Sequence, residues 1–272
     1  MPRILDYNGR DVTRTVTVAS IIAQKQAQRP LTQVTAATAE EAAAAEAAGI
    51  EMVVCMADSV AAVREGSTSL FVTAAIDFSG AVSDDDLLST AYAALRNGAD
   101  AVITSRRFES LRRIADEDIP VMGHLGFIPK KSTLYGGVRA VGKTAAEATQ
   151  LWDQFRRLED AGAFAVECEL IPAPVMREIH QRTGLVTVSL GSGRDADVIF
   201  LFMSDICGES PRTPRHAKPY GDLATLHAGV RAARVEALTA YRADVLAGHY
   251  PGAAHVAGID DAELAGFIAS LE

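Results

Sequence analysis

Eight apolar runs of strand length recur along the chain, and segments with helical spacing separate them. They read LTQVTAA, IEMVVCM, LFVTAAID, ADAVITS, IPVMGHL, AFAVECELI, GLVTVSLGSG and ADVIFLFM. A strand can pair in parallel with its successor only if the chain crosses back over the sheet, and a helix is the usual crossover. Eight such units without a low-complexity linker specify the α/β class and, within it, a single (β/α)8 TIM barrel occupying residues 1–272. A doubly wound open sheet fits less well, because no GxGxxG follows the first strand.

Local signals agree with this division. A first helix is expected near residues 15–28, and a long Ala-rich helix at about 221–247 closes the chain. Thr38 opens a helix with Glu41 three residues on as a capping box, and Gly49 ends it. Ser83 opens another, whose first turn holds Asp84, Asp85 and Asp86; three carboxylates there suit the helix dipole better than they suit a metal. The net charge of −9, with its basic residues scattered, leaves no footprint for nucleic acid. No run of apolar residues is long enough to span a bilayer, and MPRILDYNGRDVTRT lacks the apolar core of a secretory signal, so a cytoplasmic protein is expected. Cys55, Cys168 and Cys207 lack CxxC spacing and read as apolar thiols rather than a disulfide or zinc framework.

In a barrel of this kind the functional face lies at the carboxyl ends of the strands. Those ends deliver Asp58 and Ser59, Asp77, Ser105 with Arg106 and Arg107, His124, Glu169, and Gly191-Ser192-Gly193. Any one of these could be a cap or a loop hydrogen-bonder; their convergence on one rim points to a site. Glu169 stands out because its strand is otherwise apolar, and burying a carboxylate without a partner costs several kcal/mol, on the order given by charge desolvation. Glu167, two residues earlier, shares its face. Two inward carboxylates on one strand repel, which raises the proton affinity of one of them, unless an arginine such as Arg106, Arg107 or Arg139 pairs with it.

PVMGHLGFIPKKSTLYGGVRAVGK, LEDAGAFAVECELIPAPVMREI, GSGRDAD and the late PRHAKPY and AGHYPGAAH resemble, in order, the ketopantoate hydroxymethyltransferases, over roughly residues 15–256. These are barrels of the phosphoenolpyruvate mutase and isocitrate lyase group. The resemblance implies transfer of a hydroxymethyl group from methylenetetrahydrofolate to the 2-oxo acid 3-methyl-2-oxobutanoate, with magnesium, on the way to pantothenate. It also implies a homo-oligomer, with rings as large as decamers. By position, Glu169 falls on the family's catalytic base and His124 on its Gly-His loop. Asp58 falls on the first metal-ligand Asp, and Ser59 on a substrate-binding Ser.

The chain departs from the family pattern on the metal side. Ala75 stands where the family has a second metal-binding Asp, Ile103 where it has a Lys, and Ser105, Arg106 and Arg107 where it has an acidic residue and paired glycines. About a helix's worth of residues is missing after Ser59. Three outcomes stay open from sequence. Asp77 supplies a displaced ligand; Arg106 or Arg107, with Ser105, binds the oxo acid in place of the ion; or the chemistry is redirected to a carbon–carbon lyase or aldolase reaction, or to a non-catalytic binding barrel.

Overall fold

A computed structural model of the chain describes residues 3–27, 29–77 and 79–271. Gln28, the last residue of the first expected helix, lies outside them. The chain opens with a two-stranded antiparallel pair, β1 (Ile4–Leu5) and β2 (Asp11–Val12), followed by α1 (Val18–Ala27). Then come β3 (Leu31–Thr35), α2 (Ala39–Ala47), β4 (Met52–Met56), α3 (Val60–Gly66), β5 (Phe71–Ala75) and α4 (Asp84–Arg96). The next units are β6 (Ala101–Ile103), α5 (Phe108–Ala115), β7 (Val121–Gly126), the short α6 (Ser132–Tyr135), α7 (Ala145–Asp160), β8 (Ala165–Glu169) and α8 (Ala173–His180). β9 (Val186–Leu190), β10 (Val198–Leu201), α9 (Met203–Ile206), α10 (Leu223–Leu246) and α11 (Asp261–Ala269) complete the order.

Strands β3 to β10 pair in parallel in sequence order, and β10 returns to pair with β3, closing an eight-stranded barrel ringed by helices. This is the (β/α)8 TIM barrel expected from the alternating runs. The capping box expected at Thr38 forms, and Ser83 makes a second one with Asp86. Thr38 Oγ1 accepts from Glu41 N and Ser83 Oγ from Asp86 N, and each N3 carboxylate accepts from its cap backbone. Gly49 follows α2 with φ +79°, the left-handed conformation in which a glycine ends a helix without steric cost.

The core has two layers, as period-two side-chain alternation requires. Leu31, Met52, Phe71, Met122, Val186 and Val198 fill the inside of the barrel, while Val53, Val72, Val102, Val121 and Val166 face the helices. The barrel's lower end is tied by Asp197, which accepts from the Thr187 backbone N–H at 2.8 Å and Oγ1 at 3.0 Å and pairs with Lys25 of α1 at 3.2 Å. Past this body the chain changes character. In α10 no residue is buried, and Leu226, Val230, Leu238, Tyr241 and Leu246 all stand exposed; α11 is likewise wholly exposed. No described helix is long and apolar enough to cross a membrane.

Candidate active site

The pairing of β7 with β8 places the site. In its register His124 lies opposite Glu167, and Gly126 opposite Glu169. Alternation turns His124, Glu167 and Glu169 inward together, at the carboxyl end of the barrel, where they line a cavity of about 510 Å³. β7 runs through to Gly126, so His124 lies within the strand rather than at the start of the loop. Gly126 takes φ +87°, and a Cβ there would come within 2.2 Å of the Glu169 carbonyl oxygen. That empty space lets the Phe127 backbone N–H donate to the same carbonyl at 2.8 Å, locking the end of β8 to the loop after His124. Leu170, next to Glu169, is held at φ +50°, a conformation a branched residue adopts only when its surroundings impose it.

His124 Nε2 lies 3.1 Å from the Phe127 carbonyl and 3.0 Å from Glu169 Oε2. A carbonyl oxygen only accepts, so Nε2 carries the hydrogen and shares it with the Glu169 carboxylate. Glu167 Oε1 stands farther off, 3.6 Å from Nε2, and among the described residues no hydrogen-bond donor reaches the Glu167 carboxyl. Among the described residues, no lysine or arginine lines the cavity. Burial pushes the Glu167 carboxyl up from its ordinary value; the nearby imidazole opposes this, and Glu169 adds to it. Burial alone would lower His124, but Glu167 when ionised, and the bond to Glu169, act against it and raise the ring's proton affinity.

The remaining wall is largely apolar. Ile103, Leu190, Phe200, Phe202 and Met203 line it, together with Val54, Met56 and Ala75. Ser105 Oγ also lines the cavity and, though buried, has no hydrogen-bond partner among the described residues, leaving it ready for a ligand oxygen. The phenylalanines and the Phe127 carbonyl were not picked out from sequence. The period-two spacing of Phe200 and Phe202 in ADVIFLFM was the available signal for the former; a backbone carbonyl leaves none.

Other expected site residues lie elsewhere. Asp58, Ser59, Asp77, Arg106 and Arg107 are not among the residues lining the cavity. Asp58 is exposed and accepts from Ser59 Oγ at 3.1 Å; Asp77 is exposed and accepts from Ser79 Oγ at 2.9 Å. Arg106 donates to the carbonyls of Ala81 and Val82, each at 2.9 Å, and Arg107 to Ser110 Oγ and Asp84, each at 3.1 Å. Arg139 pairs with Glu147 at 2.8 Å, so none of the three arginines neutralises the inward carboxylates. Ser192 of the Gly-Ser-Gly turn donates to the Cys168 carbonyl at 2.7 Å and braces the end of β8.

The magnesium implied by the family resemblance does not fit the residues expected to hold it. A hard cation needs several converging oxygens, and here Ala75 lines the cavity while Asp58 and Asp77 stay outside. The described residues contain one acidic/His group of metal-binding spacing, His124, Glu167 and Glu169, whose donor atoms all lie within 4.8 Å of one another. Its imidazole nitrogen, however, presents a hydrogen to Phe127 rather than a lone pair.

The family description "ketopantoate hydroxymethyltransferase" matches residues 55–253. The chain belongs to that family. The 3-methyl-2-oxobutanoate hydroxymethyltransferase of Kosmotoga olearia is 31% identical over 261 residues, covering 86% of this chain and 95% of the relative. That of Pyrobaculum islandicum is 36% identical over 174 residues, covering 63% of this chain and 64% of its own. That of Nitratidesulfovibrio vulgaris is also 36% identical, over 163 residues, and this chain spans only 51% of it. Among solved structures, phosphonopyruvate hydrolase in complex with oxalate and Mg2+ aligns with TM-score 0.51 at 15% identity, over 94% of this chain and 97% of its own. 2,3-Dimethylmalate lyase, a member of the PEP mutase/isocitrate lyase superfamily, aligns with TM-score 0.52 at 15% identity, over 90% and 91%. At such identity the likeness of these two to the chain is one of fold alone.

Two outcomes follow from this geometry. Gly126→Ala forces a Cβ against the Glu169 carbonyl and a left-handed backbone on alanine, and should cost about 3 kcal/mol in urea unfolding. The second concerns pH. Glu167, raised above its ordinary 4.5, and His124, raised above 6.5, both stabilise the fold fully below those values, and the contribution is lost as pH rises through the folded-state values. Urea melts should therefore show stability falling from mildly acid to alkaline pH, with the fall above 4.5 flattened in Glu167→Gln.

Proposed function

We propose that the protein catalyses ketopantoate formation, moving a hydroxymethyl group from methylenetetrahydrofolate to 3-methyl-2-oxobutanoate by enolate chemistry. The observation that carries this is the Glu169–His124 pair at 3.0 Å, set in the cavity of a chain of this family. Glu169 takes the C3 proton of the oxo acid. His124 keeps that carboxylate oriented through its Nε2 hydrogen, and the bond to Phe127 keeps the ring in place. The apolar wall of Ile103, Leu190 and Phe200 accepts the branched alkyl group, and Ser105 Oγ offers a donor to an oxo-acid oxygen. Relatives named for this transfer favour it over a lyase or a non-catalytic barrel. No step is assigned to magnesium, because the residues expected to bind it lie outside the cavity.

The test is hydrogen–deuterium exchange at C3 of 3-methyl-2-oxobutanoate, followed by NMR without folate, and then ketopantoate formation with it. Glu169→Gln should slow exchange by about 10³-fold while the fold, read by circular dichroism, is unchanged. Exchange that persists at the original rate would assign the base elsewhere.

The reading includes a homo-oligomer. A helix of 24 residues without one buried side chain does not hold itself in water by propensity alone, and its exposed leucines and tyrosine suit a second copy of the chain. Light scattering after gel filtration should report a multimer, and Leu238→Glu should shift it toward smaller species; a monomeric wild type would refute this.

A further inference from the structure

Glu167 is not accounted for by the role given to Glu169. It is 7% exposed, it lines the cavity, and no hydrogen-bond donor among the described residues serves it. The titratable groups lining the cavity beside it are Glu41, Cys55, His124 and Glu169. Glu41 is spent at the rim on the backbone N–H groups of Ala37 and Thr38, and burial pushes the Cys55 thiol up to about 12, so it brings no charge. Lys130, next to the cavity, donates to the Ser105 carbonyl at 2.7 Å. Among the described residues lining the cavity, His124 is the one group able to carry a positive charge, and its Nε2 hydrogen is committed to Phe127 and Glu169.

Two ionised carboxylates beside one imidazolium would leave an uncompensated charge in a largely apolar cavity, which is costly enough that the group takes up a proton instead. A cation would also neutralise it, but would have to displace the Nε2 hydrogen and its bond to Phe127 to gain three protein ligands. A neutral carboxyl needs neither. It also gains a hydrogen to donate, in a low-dielectric setting where such a bond to a developing oxyanion is strong.

We propose that Glu167 is a second catalytic residue, a neutral carboxylic acid that donates its hydrogen to the carbonyl oxygen of the 2-oxo acid while Glu169 removes the proton from C3. This rests on the enolate reading above. As the C3–H bond breaks, its proton goes to the Glu169 carboxylate and its electron pair forms the C2–C3 double bond. The carbonyl π pair moves onto oxygen, where the Glu167 O–H meets it. No oxidant, metal or other co-reactant enters the balance. The donor atoms of Glu167 and Glu169, within 4.8 Å of each other, suit a carbon and an oxygen separated by one carbon. The acid thus supplies at the oxygen what a cation supplies elsewhere, and it explains how the cavity works with Ala75 in its wall.

The experiment compares wild type, Glu167→Gln and Glu167→Ala in the full chain. Gln keeps a neutral hydrogen-bond donor, and Ala removes it. C3 exchange should fall about 10²-fold or more in Glu167→Ala and stay within about tenfold in Glu167→Gln, and EDTA should change none of the three. Equal losses in both variants would overturn the proposal, as would exchange that EDTA abolishes and Mn2+ restores. A second readout needs no substrate: in protein carrying 13C-carboxyl glutamate, the NMR signal missing from Glu167→Gln should sit at the neutral-acid position at neutral pH. An ionised signal there overturns the proposal. If wild type exchanges nothing, the substrate reading fails, and the carboxyl signal still decides the state of Glu167.

Discussion

The hydrogen-bonded register between β7 and β8 is the constraint on which the rest of the site depends. It sets His124 opposite Glu167 and Gly126 opposite Glu169, so one imidazole meets two carboxylates without help from any loop. A slip of β8 by one residue would turn both carboxylates outward into the helix layer, away from His124. The carbonyl of Glu169 receives the Phe127 N–H through the space that Gly126 leaves open, and this fixes the relative height of the two strands. The site is therefore built on paired strands of the barrel itself, which suits the base and the acid proposed above, since they must hold a common geometry.

Much of this was legible before any coordinates. The barrel follows from eight apolar runs separated by helical segments, and the helix starts at Thr38 and Ser83 follow from side-chain capping chemistry. Glu167 and Glu169 declared themselves because carboxylates interrupt an otherwise apolar strand at period two. What sequence could not settle was how charges pair at long range. Arg106, Arg107 and Arg139 were equally credible partners for the inward carboxylates, and each finds a different one: loop carbonyls, Asp84 and Glu147. Asp58 and Asp77 lie just past strand ends, where a residue or two of turn decides whether a side chain enters the barrel or meets solvent. No periodicity reaches across that turn.

The pattern of departures from the family acquires a physical sense. Position 75 carries a methyl group, positions 106 and 107 hold guanidiniums engaged with neighbouring loops and helices, and the negative charge of the cavity is gathered on β8 instead. One wall is apolar while the other carries two carboxyls. In the reaction proposed above, such a cavity meets the charge of an enolate by hydrogen bonding rather than by coordination, and its electrostatics depend on which of two neighbouring carboxyls holds a proton.

The apolar wall has a thermodynamic consequence of its own. Water resting against Leu190, Phe200, Phe202 and Met203 has few polar partners there and is displaced when a branched alkyl chain docks. Association of an apolar ligand should then carry a negative heat-capacity change, and a preference for a branched alkyl chain over a shorter one should weaken on cooling, as apolar hydration becomes less unfavourable. Selectivity in this barrel is thus a function of temperature, set by a wall that takes no part in the proposed proton transfers.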